Sequence, residues 1–268
     1  MVRVGVFGAG GRMGRQVCQA IAADPELELV AAVDPRLAGI DLRQVAGVDA
    51  SGLLVAHGVE ALERSEAEVA VDFTVAEAAV EHMRWCAAHG VHAVVGTTGI
   101  SEPVLAELTA AFADSDANCV IAANFAIGAV LMMRFAELAA PFMDGVEIVE
   151  LHHDGKVDAP SGTAMQTAER VTAARQARTG PWPADATTSH TVAGARGADG
   201  PGGVRIHSVR LPGLVAHQEV LFGAGGQSLT IRHDAYDRTS FMPGMLLAVK
   251  AVAGRRGLTV GLDALLGF

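Results

Sequence analysis

The stretch that most limits the fold is VRVGVFGAGGRMGRQV, residues 2–17. An apolar run leads into Gly8, Gly10, Gly11 and Gly14 and then into a helical pattern. Glycines so placed allow a tight turn and the close approach of a pyrophosphate to a helix N-terminus. The pattern alone is weak, but the next apolar run, LELVAAVD, ends in Asp34, twenty residues beyond Gly14. An acidic side chain there can accept bonds from the adenine ribose hydroxyls. Strand, loop, helix and acid together predict a dinucleotide site; the competing reading is a tight turn without a ligand. The charge of Asp34 disfavours a 2'-phosphate and so favours NADH over NADPH. Arg12 and Arg36 could both face such a phosphate, which keeps dual use open.

EVAVDFT, VHAVVGTTG and NCVIAANF continue the apolar series. Runs without polar alternation suit a parallel sheet covered on both faces. AEAAVEHMRWCAAHG has helical composition and ends in Gly90, a suitable C-terminal glycine. Aromatic residues are 4% of the 268, so the core is expected from Ala, Val, Leu, Ile and Met. The expected class is α/β, a doubly wound parallel sheet of the Rossmann type. In such sheets ligands bind outside the carboxyl ends of the strands. Those ends are Asp72–Thr74, then Gly96, Thr97 and Thr98, then Ala122, Ala123, Asn124 and Phe125. They would offer backbone and hydroxyl groups to a nicotinamide ribose; alternatively, Thr74 and Ser101 merely cap helices.

After Phe125 the character changes. Residues 127–143 read as a long apolar helix, VEIVELHH as a strand, and a further helix runs from about Ser161 to about Arg178. Residues 180–203 form a loop too long for a simple connection. VRIHSVR, HQEVLF and SLTIRH are strand candidates, the last two joined through the glycine-rich GAGGQ. They predict a second α+β domain on an open mixed sheet. FMPGMLLAVKAVAG is helical again and is expected to return to the first domain. The expected division is 1–126 with 238–268, and 127–237.

ELHHDGKVDAPSGTA, residues 150–164, carries the most chemistry. In a strand, adjacent side chains point to opposite faces, so His152 and His153 would not share one metal. No cysteine or carboxylate at ligand spacing joins them, and no metal is expected. Ser161 lacks the GxSxG elbow of a serine hydrolase. Acid/base and anion chemistry remain. A histidine delivers protons near neutral pH, and Asp154-Gly155 could swing Lys156 back toward it. Ser161-Gly162-Thr163 opens a helix whose N–H groups, with the Thr163 hydroxyl, suit a carboxylate. The competing reading has the histidines satisfied structurally and Ser161 acting only as a cap. His82, His89 and His92 read as surface or capping groups. His217 is a weak candidate for the cleft.

A net charge of −10 argues against nucleic-acid binding, which needs clustered Lys and Arg. Three scattered cysteines without CxxC spacing read as reduced thiols. The most apolar region is broken by Asn124, Arg134 and Glu137, so no membrane span is expected. The amino terminus enters an apolar strand without signal-peptide features, and a cytoplasmic location is expected.

VGVFGAGGRMGR, VDFT, VVGTTG, AANFAIG, ELHHDGKVDAPSGTA and DRTSF, in that order, give the chain a resemblance to the dihydrodipicolinate reductase family over nearly its whole length. The resemblance implies reduction of 4-hydroxy-tetrahydrodipicolinate to tetrahydrodipicolinate with NADH or NADPH, in lysine biosynthesis via diaminopimelate. His152 is similar to the family's catalytic histidine and Lys156 to its proton donor. His153, Gly162 and Thr163 match positions that hold the carboxylates of a small dicarboxylate substrate. Gly8, Ala9, Gly10, Gly11, Arg12, Met13, Asp34, Gly96, Thr97, Thr98, Ala122, Ala123, Asn124 and Phe125 match dinucleotide-binding segments, and Arg238 an arginine near the cofactor. A homotetramer through the sheet of the second domain is likewise implied, with the first domain binding dinucleotide and the second binding substrate. Two departures stand out: Asp154 and Gly155 stand where the family often has a basic or imidazole side chain, and Pro35 separates Asp34 from Arg36. The rivals are another nicotinamide-dependent amino- or keto-acid dehydrogenase and a catalytically silent dinucleotide sensor.

Overall fold

The computed structural model describes residues 1–49 and 52–268. Along the chain its strands are β1 (Val2–Phe7), β2 (Leu27–Val33), β3 (Val69–Asp72), β4 (His92–Val95), β5 (Cys119–Ile121), β6 (Gly145–His152), β7 (Ala198–Asp199), β8 (Arg205–Arg210), β9 (Ala216–Ala224), β10 (Gln227–Ala235) and β11 (Leu258–Val260). The α-helices are α1 (Arg12–Ala23), α2 (Leu42–Ala46), α3 (Glu60–Arg64), α4 (Ala76–His89), α5 (Glu102–Ala113), α6 (Ile127–Ala139), α7 (Gly162–Gln176), α8 (Met242–Ala251) and α9 (Asp263–Leu266). The chain divides into two compact units, Met1–Ile127 with Arg238–Phe268, and Gly128–Asp237.

The first unit is built on a six-stranded sheet in the order β11-β5-β4-β3-β1-β2. Every pairing in it is parallel. All residues of β3 and β5 are buried, as strands covered on both faces should be. From β1 the chain steps outward to β2 and then back across to β3. That reversal is the place where such a sheet opens a ligand crevice at its carboxyl edge. α4 ends as its glycine predicts: Gly90 has φ 72° and its N–H donates to the Cys86 carbonyl.

Three elements of this unit were not foreseen. α2 and α3 are five-residue helices, too short to show a hydrophobic period. β11 is a three-residue strand that takes its place beside β5 from far along the chain. α8 belongs to this unit. It runs so close to the end of β5 that a Cβ on Gly244 would lie 2.1 Å from the Phe125 carbonyl oxygen.

The second unit carries a five-stranded sheet ordered β10-β9-β6-β8-β7. β6 pairs parallel to β8 and antiparallel to β9, so the sheet is mixed. α7 covers the face bearing Ile148, Glu150 and Gln218, and Gln218 donates to the Thr167 hydroxyl at 2.8 Å. The opposite face presents Val149, Leu151, Val209 and Leu221, none of them fully buried. The expected long apolar helix is α6 followed by a 3-10 turn, Ala140–Phe142. Residues 180–203 contain one two-residue strand and one short 3-10 turn, Pro201–Gly203.

Candidate active site

In the first unit the carboxyl edge of the sheet gathers the predicted dinucleotide segments. The turn after β1 places Gly8 at φ 67°, a conformation that costs a side-chain-bearing residue dearly. α1 then packs onto that turn: a Cβ on Gly14 would lie 2.0 Å from the Gly8 carbonyl oxygen. Gly11 is the N-cap of α1 and brings no side chain to cap it. The helix start is therefore shaped to receive an anion on backbone N–H groups. Arg12 is exposed and Met13 half-buried beside it.

Asp34, one residue beyond β2, braces this turn. Its carboxylate accepts from the Gly10 N–H and the Arg36 N–H, each at 3.1 Å. The acid predicted to read a ribose is thus also part of the loop's own framework. At the end of β3, buried Asp72 accepts from the Thr74 N–H at 2.7 Å and its hydroxyl at 2.6 Å, and pairs with His82 Nδ1 at 2.6 Å. Thr97 of the β4 end donates to the Thr74 carbonyl at 3.0 Å. A Cβ on Gly96 would sit 2.1 Å from the Phe73 ring, so these two strand ends are locked together. Thr98 and Ala123 are exposed there, Ala122 and Phe125 are buried, and Asn124 accepts from the Ala126 N–H at 2.8 Å. Arg238 is exposed on the 3-10 turn Arg238–Phe241, which packs against α1.

Two sequence readings change here. Thr74 and Ser101 are not side-chain caps: Val75 is the N-cap of α4, and Ser101 makes no capping bond at α5. His82 is no surface group, because it stacks on Phe7 at 3.9 Å besides pairing with Asp72.

In the second unit β6 ends at His152, and strand alternation sends its side chain to the same face as Glu150. Glu150 is 0% exposed. His152 Nδ1 lies 2.5 Å from Glu150 Oε2. Arg210, opposite His152 on β8, grips both oxygens of Glu150 at 2.7 and 2.9 Å. Burial works to raise the Glu150 carboxyl, but Arg210, Ser208 and His152 together hold it below the ordinary carboxylate range. Burial draws His152 below the usual imidazole value, and Glu150 opposes that shift.

His153 is exposed beyond the strand, its N–H donating to the Val215 carbonyl at 3.3 Å. The turn closes when the Lys156 N–H donates to the His153 carbonyl at 3.2 Å. Lys156 turns its ammonium to Asp158, at 2.7 and 2.8 Å, and not to His152. Its charge still acts on His152, in the lowering direction. Ser161 is the N-cap of α7 and accepts from the Ala164 N–H at 3.2 Å, while Gly162 and Thr163 form the first turn. His217 is satisfied at both nitrogens: Nδ1 pairs with Asp234 at 2.7 Å and Nε2 accepts from the Val215 N–H at 3.2 Å. Among the described residues no group of three or more His, Cys, Asp or Glu is arranged to hold a metal.

Sequence reasoning missed Glu150 and Arg210. Glu150 was legible in principle, as a carboxylate two residues before His152 on one strand face. Arg210 stands sixty residues from Glu150, and nothing in its local pattern points there.

A parallel sheet with a tight glycine turn at its carboxyl edge in one unit, and a histidine bonded to a buried carboxylate in the other, is the organisation of a nicotinamide-dependent oxidoreductase. Two family models match the chain, "Dihydrodipicolinate reductase, N-terminus" over residues 2–125 and "Dihydrodipicolinate reductase, C-terminus" over residues 128–266. The 4-hydroxy-tetrahydrodipicolinate reductase of Cutibacterium acnes is 51% identical, over 100% of this chain and 99% of that protein. The same enzyme from Nocardia farcinica is 49% identical, over 99% and 98%. Among solved structures, a dipicolinate-bound dihydrodipicolinate reductase from Paenisporosarcina sp. TG-14 superimposes with a TM-score of 0.86 at 39% identity, covering 98% of this chain and 99% of that one. The chain belongs to the dihydrodipicolinate reductase family.

Proposed function

We propose that this chain reduces 4-hydroxy-2,3,4,5-tetrahydrodipicolinate to 2,3,4,5-tetrahydrodipicolinate with loss of water, at the expense of NADH or NADPH, in lysine biosynthesis via diaminopimelate. The observation that carries the reading is His152 itself: Nδ1 is committed to a buried carboxylate on the strand that leads, through one turn, to a capped helix start. A proton donor beside an anion-binding helix end suits a dicarboxylate that must be held and protonated in one place.

The unit of residues 1–127 with 238–268 binds the dinucleotide, through Gly8 to Met13, Asp34, Gly96 to Thr98, Ala122 to Phe125 and Arg238. Bound nicotinamide supplies the hydride. In the unit of residues 128–237, His152 and Lys156 provide the proton, and His153, Gly162 and Thr163 hold the substrate carboxylates. Asp34, whose carboxylate lies beside the glycine turn, favours NADH. The half-exposed apolar residues Val149, Leu151, Val209 and Leu221 on one sheet face support assembly of a homotetramer through that sheet. The enzyme works in the cytoplasm; among the described residues no helix is long and apolar enough to cross a membrane.

The test is NADH or NADPH oxidation with freshly generated 4-hydroxy-tetrahydrodipicolinate. No turnover with either nucleotide, in a folded sample that binds nucleotide, overturns the reading. Sedimentation equilibrium checks the assembly, for which four chain masses are expected.

A further inference from the structure

Glu150 is ionised, fully buried and completely engaged. Oε1 accepts from Arg210 Nη2 at 2.7 Å and from the Ser161 backbone N–H at 3.3 Å. Oε2 accepts from Arg210 Nη1 at 2.9 Å and faces His152 Nδ1 at 2.5 Å. A carboxylate offers about four lone-pair sites. These four donors, with the Ser208 side chain also bonding the carboxylate, leave no site free, so Glu150 has no capacity left for a substrate and acts through its neighbours.

We infer that Glu150 is a positioning residue, which fixes the nitrogen on which His152 carries its transferable proton and ties that histidine to the start of α7. An ionised carboxylate only accepts, so the Nδ1 it faces must bear hydrogen. The proton available for transfer is then the one on Nε2. The same carboxylate holds the Ser161 N–H, and the Ser161 hydroxyl caps α7. Proton donor and carboxylate-holding helix end are therefore spaced by one side chain.

Arg210 makes the arrangement tolerable, since a buried carboxylate without a partner is strongly destabilising. It also donates to the Val209 and Asp158 carbonyls, both at 2.7 Å, and so joins β6, β8 and the segment before α7. The charged groups acting on His152 are Glu150 on its own strand, Arg210 from β8 and Lys156 from the turn, the last paired with Asp158. Of these only Glu150 favours the imidazolium.

The kinetic arm of the test rests on the reductase reading; a second arm does not. In Glu150→Gln, kcat is expected to fall about a hundredfold, the usual size of a misdirected acid. The limb on which activity falls with rising pH should move to lower pH, because His152 has lost the neighbour that favours its charged form. A merely structural lesion would lower activity without moving that limb. Glu150→Gln leaves Arg210 buried opposite an amide, so Glu150→Gln/Arg210→Met provides a neutral pair of similar volume to preserve the fold. The second arm is histidine 15N NMR of the full chain, with His152→Gln identifying the signal. Wild-type His152 should show the neutral Nδ1–H form and should titrate at higher pH than in either variant. Unchanged kcat and pH profile in a folded variant, or an unchanged His152 midpoint, overturns the inference. An inactive wild-type chain whose His152 midpoint still drops on substitution would refute the reductase reading and leave the positioning role standing.

Discussion

Gly14→Ala puts the dinucleotide turn to a quantitative test. The added Cβ would meet the Gly8 carbonyl oxygen at 2.0 Å, the Gly8 carbonyl carbon at 2.7 Å and Ala9 Cα at 2.9 Å. All three are backbone atoms, so no rotamer change relieves them. Reaching even 3.0 Å requires α1 and the turn to separate by about an ångström. Overpacking of this kind costs about 1–3 kcal/mol. If the strain falls on nucleotide binding, about 1.4 kcal/mol per decade makes the NADH Kd roughly 5- to 150-fold weaker. If it falls on folding, Tm drops by about 2–12 °C. Gly11→Ala is the internal control for folding alone, since its Cβ would meet only the Gly8 oxygen, at 3.2 Å, and should lower Tm far less. NADH fluorescence titration of Gly14→Ala and thermal melting of both variants read the result. A Gly14→Ala protein indistinguishable from wild type in both measurements would refute the close-approach argument.

Other outcomes follow from the site and the core. His152→Gln and Lys156→Ala should each lower kcat by about a hundredfold with nucleotide binding intact, as stopped-flow and fluorescence would show; unchanged kcat in both places the proton donor elsewhere. NADH should have the lower KM, and a clear NADPH preference abolished by Arg12→Ala or Arg36→Ala would overturn the role given to Asp34. His152 and His233 have pKa values lowered by burial, so the folded chain binds fewer protons than the unfolded one below the ordinary imidazole value of 6.5. Stability should therefore fall as pH descends from 6.5, and melts of His152→Gln should show a shallower slope there. Cys18, Cys86 and Cys119 are buried with thiols raised by desolvation, Cys18 to about 12. Ellman titration should find them unreactive until the chain is denatured.

The legible parts of this molecule are those whose cause is local. β1, the glycine turn and Asp34 could be read because strand period, glycine conformations and the acid's position all lie within one βαβ unit. β6 and the start of α7 were equally plain, the one from an apolar run and the other from a serine cap. What escaped depends on distant partners. Arg210 matters because β8 pairs with β6 in a register that sets it opposite His152, and no local pattern records that register. His82 reads from sequence as a surface or capping histidine because the buried Asp72 and the Phe7 ring that enclose it come from β3 and β1, not from its own helix. Lys156 was expected near the histidine; Asp158, two residues away, is the nearer electrostatic partner.

β11 has a consequence for synthesis. Five of the six strands of the parallel sheet have been made once Ile121 is complete, but the strand that pairs with the outer edge of Cys119–Ile121 is Leu258–Val260, at the far end of the chain. A nascent polypeptide must emit the whole intervening unit before that edge is closed and α8 can seat itself. Until then β5 offers unpaired backbone to any passing strand, the circumstance in which chains aggregate. The brevity of β5, three residues, limits that exposure while the ribosome finishes.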